Sequence, residues 1–266
     1  MKNIIIHGNC FEVMQEIEAN SIDLVVTSPP YDGLRQYNGY VFNIDLLAKE
    51  LYRIIKIGGV VVWVVSDQTV AGSESGTSFK QALLFKEMGF NIHDTMIYYK
   101  EGLTLNHNRY EQEFEYMFVF SKGKPKTFNP IMVRCNWFGK DSDRSGQKLG
   151  IHNEKNKRAR SGNDRTNIKE MKIKGNIWKY QTGYGHSTKD EIAFKHPAIF
   201  PEALARDHIL SWSNAGDLVL DPMCGSGTTC KMAKYLNRDY IGIDISKEYC
   251  DIAESRLQQE VLELYA

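Results

Sequence analysis

Two short stretches carry residue types that could do chemistry together. Thr27-Ser28-Pro29-Pro30-Tyr31 follows the apolar run Ile22-Asp23-Leu24-Val25-Val26, which has the shortness and β-branched content of a buried strand. Consecutive prolines end such a strand. They fix φ and donate no N–H, so the carbonyls of Ser28 and Pro29 are displayed rather than paired in a ladder. Tyr31 adds a ring face and a hydrogen-bonding edge. This tip suits a planar, amine-bearing ring: acceptors for the NH₂ hydrogens and a face for stacking. The plainer reading is a strand that ends in a proline-rich turn.

In the second stretch the apolar strand Leu218-Val219-Leu220 runs into Asp221-Pro222-Met223-Cys224-Gly225-Ser226-Gly227-Thr228-Thr229, and Cys230 to Leu236 then has helical apolar spacing. Glycines let backbone approach a ligand closely, and a helix N-terminus offers unpaired N–H groups. One strand later Tyr240-Ile241-Gly242-Ile243-Asp244 ends in an acid, placed to accept hydrogen bonds from a ribose diol. This is nucleotide-cofactor architecture, yet it is neither the GxGxxG dinucleotide pattern nor the GxxxxGK phosphate loop.

Together the two stretches resemble the S-adenosylmethionine-dependent DNA amino-methyltransferases, which methylate the exocyclic amine of adenine or cytosine. The tetrapeptide comes early and the cofactor loop late, which is the permuted order of the beta class. The resemblance implies catalytic roles for Ser28, Pro29, Pro30 and Tyr31. It implies S-adenosyl-L-methionine contacts from Asn9, Pro197, Phe200, Asp221, Pro222, Cys224, Gly225, Gly227, Thr228, Thr229 and Asp244. Asn9 stands where many members carry an acid near the cofactor adenine. Phe200, in the His196-Pro197 to Pro201 frame, stands where adenine-modifying members often have lysine.

The elements that must position these tips alternate strand with helix. Strands are expected at Ile4–His7, Val60–Val65, Asn91–Tyr99 and Glu113–Phe120, besides those already named. Helices are expected at Phe11–Ile17, Asn43–Ile57 with Gly58-Gly59 as its stop, Phe79–Met88, Glu202–Trp212 and Lys247–Gln259. Such alternation gives an α/β fold: a doubly wound, mostly parallel sheet with an antiparallel hairpin. The resemblance makes it a seven-stranded, Rossmann-like methyltransferase fold, circularly permuted, with an inserted target-recognition region. The expected division is a catalytic half at 1–120, a basic insert at 121–190 and a cofactor-binding half at 191–266.

The 266 residues are 42% hydrophobic and 25% charged, ordinary globular composition with no long apolar segment. Met1-Lys2-Asn3 leads straight into a strand-like run, leaving no room for a signal peptide. Five scattered cysteines without a CxxC pair read as reduced thiols of a cytoplasmic protein. The seven histidines show no metal-ligand spacing, so no metal is assigned.

Net charge is zero, but its distribution is not even. Lys122 to Asp190 carries 17 basic and 6 acidic residues, an excess of +11 balanced by −11 in the remainder. That asymmetry points to a polyanion-binding segment on an acidic body, the plainer alternative being a solvated basic loop. Base edges call for Arg, Lys, Asn and Gln, and phosphates for positive charge. Candidate DNA contacts are Arg35 after the catalytic tip, Arg109, and Lys155, Lys157, Arg158, Arg160 and Arg165 in the most basic run.

The implied partner is double-stranded DNA, with no membrane; a homodimer and a cognate restriction endonuclease are compatible with the resemblance. Ser28, where adenine-specific members more often have Asp or Asn, favours N4 of cytosine as the target, with N6 of adenine as the alternative. An RNA or protein-amide methyltransferase and a catalytically idle DNA-binding module are further readings. The former families usually place the cofactor loop before the tetrapeptide, and cofactor binding separates the latter from an enzyme.

Overall fold

The computed structural model describes residues 1–30, 43–100, 110–136, 138 and 169–263. Its apolar, β-branched runs lie side by side in a sheet of eight strands among the described residues. In chain order these are β1 (Ile4–His7), β2 (Ile22–Thr27), β3 (Ile55–Val65), β6 (Asn91–Tyr99), β7 (Phe114–Ser121), β10 (Ile177–Lys179), β11 (Leu218–Asp221) and β12 (Asp239–Asp244). Short strands β4 (Thr69–Val70) and β5 (Ser73–Glu74) form a separate ribbon. The sheet order is β1-β12-β11-β2-β3-β7-β6-β10, and all neighbours are parallel except that β7 runs against β3 and β6.

Two layers of helices cover the sheet, as a doubly wound fold requires. Helices α1 (Cys10–Gln15), α2 (Ile44–Ile54) and α3 (Thr77–Glu87) pack in one series. Helices α4 (Glu202–Trp212), α5 (Thr228–Tyr235) and α6 (Lys247–Glu263) pack in the other. The core between α2, α3 and the sheet is aromatic: Phe85 stacks on Phe120 at 4.4 Å between centroids, and buried Trp63 donates to Gln81 Oε1 at 2.8 Å.

From β2 the chain winds through α2 to β3 on one side, and from β11 it winds through α5 to β12 on the other. The strands between which the winding reverses, β2 and β11, are neighbours with Leu24 opposite Val219 and Val25 opposite Leu220. Ligands of open α/β sheets lie outside the carboxyl ends of strands at such a reversal. Both chemically marked stretches begin at those two strand ends.

Three details differ from the sequence reading. First, α2 stops at Ile54 and β3 begins at Ile55 with no connecting turn, instead of helix to Ile57 and strand from Val60. Ile55 pairs with Ile22, Lys56 reaches Asp23 at 2.7 Å, and Gly58, at φ +84°, donates to Lys122 O at 2.7 Å. Sheet pairing thus takes residues that the helical apolar spacing had claimed. Second, the described residues give the sheet eight strands where seven were expected. The extra one is β10, whose Trp178 is buried with its ring tilted against that of His208, 4.8 Å between centroids, while Ile177 and Lys179 stay exposed. Third, by internal packing the chain divides into one unit of residues 1–129 with 176–266 and a second of 130–175, so the separate segment is narrower than 121–190. The second unit contains an antiparallel pair, β8 (Met132–Arg134) with β9 (Met171–Ile173), Met132 opposite Ile173.

Candidate active site

β2 ends in buried Thr27, whose pairing with Trp63 is the last of the β2–β3 register, and Ser28-Pro29-Pro30 follows, two prolines that cannot extend a ladder. Ser28, Pro29 and Pro30 line a cleft of about 1560 Å³ at the carboxyl edge of the sheet. The same cleft is lined by Phe200, Asp221, Pro222, Cys224, Gly225, Thr228, Thr229 and Asp244. The fold therefore brings together most of the residues to which the resemblance gives catalytic or cofactor roles. A single small ligand fills about 300–1,000 Å³, so the volume leaves room for a cofactor and a second group beside it.

The turn after β11 is held by side chains from both halves of the chain. Thr27 Oγ1 donates to Asp221 Oδ1 at 2.7 Å, and Met223 N donates to the same oxygen at 3.2 Å. Thr229 Oγ1 donates to Val26 O at 3.1 Å, fastening the start of α5 to β2. Gly225 and Gly227 have φ of +50° and +78°, the left-handed region that glycine enters freely. A Cβ at Gly225 would lie 2.8 Å from His196 Nε2, and one at Gly227 would lie 2.6 Å from Ala253 Cβ. The first glycine admits the His196 ring beside the turn, and the second lets α5 close on α6.

Asp244, at the end of β12, accepts from Gly225 N and Ser246 N, each at 2.8 Å and each at a different oxygen. A carboxylate has about four lone-pair positions, so each oxygen keeps capacity for a further donor. Two adjacent acceptors of this kind fit a vicinal diol. Burial raises the Asp244 carboxyl above its ordinary range against the lowering effect of those two N–H groups. Burial likewise pushes Asp221 up to about 6, opposed by its bonds to Thr27 and Met223. The donor set, the glycine turn and the strand-end acid fit S-adenosylmethionine, the cofactor that the resemblance implies.

Other expected residues lie elsewhere. The Asn9 side chain accepts from Phe11 N at 3.0 Å and caps α1, while its neighbour Cys10 lines the cleft. Pro197 is not among the cleft residues; His196 and Ala198 on either side of it are. Gly227 acts through packing against α6 rather than on the cleft wall. Tyr31, Arg35, Arg109, Lys155, Lys157, Arg158, Arg160 and Arg165 lie outside the described residues.

Several cleft residues carried no chemical assignment in the sequence. His196 has Nδ1 2.7 Å from Ala198 O and its ring 4.3 Å from Tyr249. Tyr98, Lys100 and Glu115 line the end towards β6 and β7, where Lys100 and Glu115 pair at 2.5 Å. The Tyr98 hydroxyl is buried with no hydrogen-bond partner among the described residues, and burial raises its pKa. Burial also raises the cleft thiols, Cys10 to about 12 and Cys224 well above its ordinary value. Strand pairing of residues 98 and 115, rather than any motif spacing, puts those two side chains in one place.

Residues 22–255 match the family described as DNA methylase, of the N6/N4 class. The chain is 57% identical over 244 residues to the Orphan methyltransferase M.BamHII of Bacillus amyloliquefaciens, a match covering 91% of each. It is 30% identical over 270 residues to the Type II methyltransferase M.HpaI of Haemophilus parainfluenzae, covering 98% of this chain and 76% of that one. Its fold is similar to that of the PvuII DNA methyltransferase, described as cytosine-N4-specific, with TM-score 0.70, 19% identity and coverage of 98% and 90%. It is similar also to M1.HpyAVI in complex with SAM, with TM-score 0.60, 23% identity and coverage of 95% and 98%. The chain belongs to the N6/N4 DNA methylase family and is, as such, an S-adenosylmethionine-dependent DNA methyltransferase.

Proposed function

We propose that this enzyme methylates N4 of a cytosine swung out of double-stranded DNA. The observation that carries this reading is the opening of Ser28, Pro29 and Pro30 into the same cleft as the Asp221–Thr229 turn and Asp244. A base inside a duplex cannot reach such a tip, so it must leave the stack.

An aromatic amine is a poor nucleophile because its lone pair is delocalised into the ring. The Ser28 side chain and the Pro29 carbonyl accept hydrogen bonds from the NH₂ group and favour a pyramidal nitrogen with its lone pair directed into the cleft. Tyr31 stacks on the ring. The cofactor supplies a methyl group made electrophilic by a positively charged sulfur. Asp244 holds the ribose diol, and the Gly-rich turn brings backbone close to the rest of the cofactor. Catalysis of this kind is positioning and electrostatic preorganisation, with no covalent bond to the protein.

The choice of cytosine rests on Ser28, whose hydroxyl is a weaker acceptor than the carboxylate or amide of adenine-specific relatives, and on Phe200. The basic insert supplies target recognition, with Lys155, Lys157, Arg158, Arg160 and Arg165 on phosphates, and Arg35 and Arg109, outside that insert in sequence, add further DNA contacts. Reduced thiols and a DNA substrate suit a cytoplasmic enzyme. Digesting methylated DNA to nucleosides and weighing the products tests the base assignment. N4-methylcytosine is expected; N6-methyladenine alone would overturn the base and leave the enzyme class intact.

A further inference from the structure

Under the cofactor turn lies an ionic quartet, two buried cations on two half-buried carboxylates, that the chemistry described above does not use. Lys231 of α5 reaches Asp190 Oδ2 and Glu202 Oε1, both at 2.8 Å. Arg256 of α6 reaches the same two atoms, Asp190 Oδ2 from Nε at 3.0 Å and Glu202 Oε1 from Nη2 at 2.7 Å. Thr188 Oγ1 adds a bond to Glu202 Oε1 at 2.6 Å. The quartet is neutral, two cations on two carboxylates, which makes its burial tolerable. Burial alone would raise Asp190, but the bonds and charges of Lys231 and Arg256 together hold it below its ordinary range. None of the four side chains lines the cleft.

Arg256, fully buried, has one arm left over. Its Nη1 donates to Ser226 O at 2.7 Å, and also lies 3.1 Å from Ser226 Oγ and 3.0 Å from Thr228 Oγ1. Ser226 and Thr228 do line the cleft. The carbonyl of Ser226 and the N–H of Gly227 belong to one peptide plane, and that N–H donates to Cys224 O at 2.7 Å. The plane is thus pinned at both ends, by Arg256 on one side and by the turn itself on the other.

We propose that Arg256 is a positioning residue for the cofactor: it fixes the Ser226–Gly227 peptide and the Thr228 hydroxyl in the orientation that S-adenosylmethionine meets. The proposal rests on the reading of this cleft as the cofactor site. The role needs a planar fork that can point one nitrogen at the turn while two others hold carboxylates. A lysine has the charge but only one nitrogen. It can satisfy Asp190 and Glu202 or reach Ser226 and Thr228, not both.

Arg256→Lys and Glu202→Gln separate this role from simple support of the fold. Each variant is assayed with unmethylated genomic DNA at varied S-adenosylmethionine concentration, after circular dichroism has established that it is folded. Loss of a positioned turn raises KM for S-adenosylmethionine, by about tenfold in Arg256→Lys, which corresponds to one strong hydrogen bond, and leaves kcat nearly unchanged. A purely structural residue lowers kcat through the active fraction and leaves KM alone. Glu202→Gln keeps an acceptor oxygen but weakens the hold on Arg256, so a smaller rise in KM is expected. It decides the matter if Arg256→Lys does not fold. Folded variants with the wild-type KM overturn the positioning role. Wild-type protein that shows no calorimetric binding of S-adenosylmethionine overturns the cofactor reading itself, and the role of Arg256 with it.

Discussion

Thr27 and Asp221 are 194 residues apart in the chain and meet at 2.7 Å, hydroxyl to carboxylate, in a buried contact between the ends of β2 and β11. The bond joins the strand end that leads into Ser28-Pro29-Pro30 directly to the turn after β11. Thr27→Val keeps the shape of the side chain and removes the donor. A buried acceptor that loses a partner costs about 1–3 kcal/mol, so the variant should unfold at lower denaturant and bind S-adenosylmethionine more weakly. Equilibrium unfolding and calorimetric titration check the two effects.

The raised pKa of Asp221 makes a statement about pH. Its ionised form is penalised in the folded state, so the group contributes most to stability below its ordinary pKa of 3.8, and that contribution is lost as pH rises through about 6. Asp221→Asn cannot ionise. Its melting temperature relative to wild type should therefore rise between pH 4 and pH 6 and level off above. Melting curves of both proteins in matched buffers give that difference, and a flat one would show that Asp221 titrates normally.

The two glycines of the turn should fail differently. Gly225→Ala puts a Cβ against a His196 ring that Ala198 and Tyr249 hold in place, on the cleft side of the turn. The expected result is a folded protein with S-adenosylmethionine affinity reduced by about tenfold or more, because the backbone can no longer approach the ligand closely. Gly227→Ala instead presses on Ala253 of α6. Overpacking and a left-handed backbone should cost about 2 kcal/mol or more, read as a lower melting temperature.

Removing residues 153–165 deletes Lys155, Lys157, Arg158, Arg160 and Arg165 at once. Fewer released counterions flatten the dependence of DNA affinity on salt, by about 0.9 in the log–log slope for each phosphate no longer neutralised. Filter binding from low to moderate salt measures the slope. An unchanged slope would remove this run from the DNA interface.

Much of the frame is legible in the residues themselves. Asn91–Tyr99 and Glu202–Trp212 have the ends that their apolar spacing predicts. The two marked stretches meet because each follows a recognisable strand. What is not legible has no local period. β10 is three residues long with one buried side chain, too short to alternate visibly. Gly58 closes a helix in sequence logic but sits inside β3, because Lys122 and Lys126 pair with it from far along the chain. Arg256 reads as one more polar residue of an amphipathic helix. Its partners come from three other segments, and only the packing of α4, α5 and α6 gathers them.

The thiols of Cys10 and Cys224 border the cleft that we propose as the site of S-adenosylmethionine, itself an alkylating agent. A thiolate there would compete with the target amine for the activated methyl group, and sulfur is far the better nucleophile. Burial keeps both thiols protonated at neutral pH. With the cofactor in this cleft, the burial that raises both thiols also spares the enzyme from consuming its own reagent by self-alkylation. Intact-mass analysis after long incubation with S-adenosylmethionine should find no methyl adduct on either cysteine.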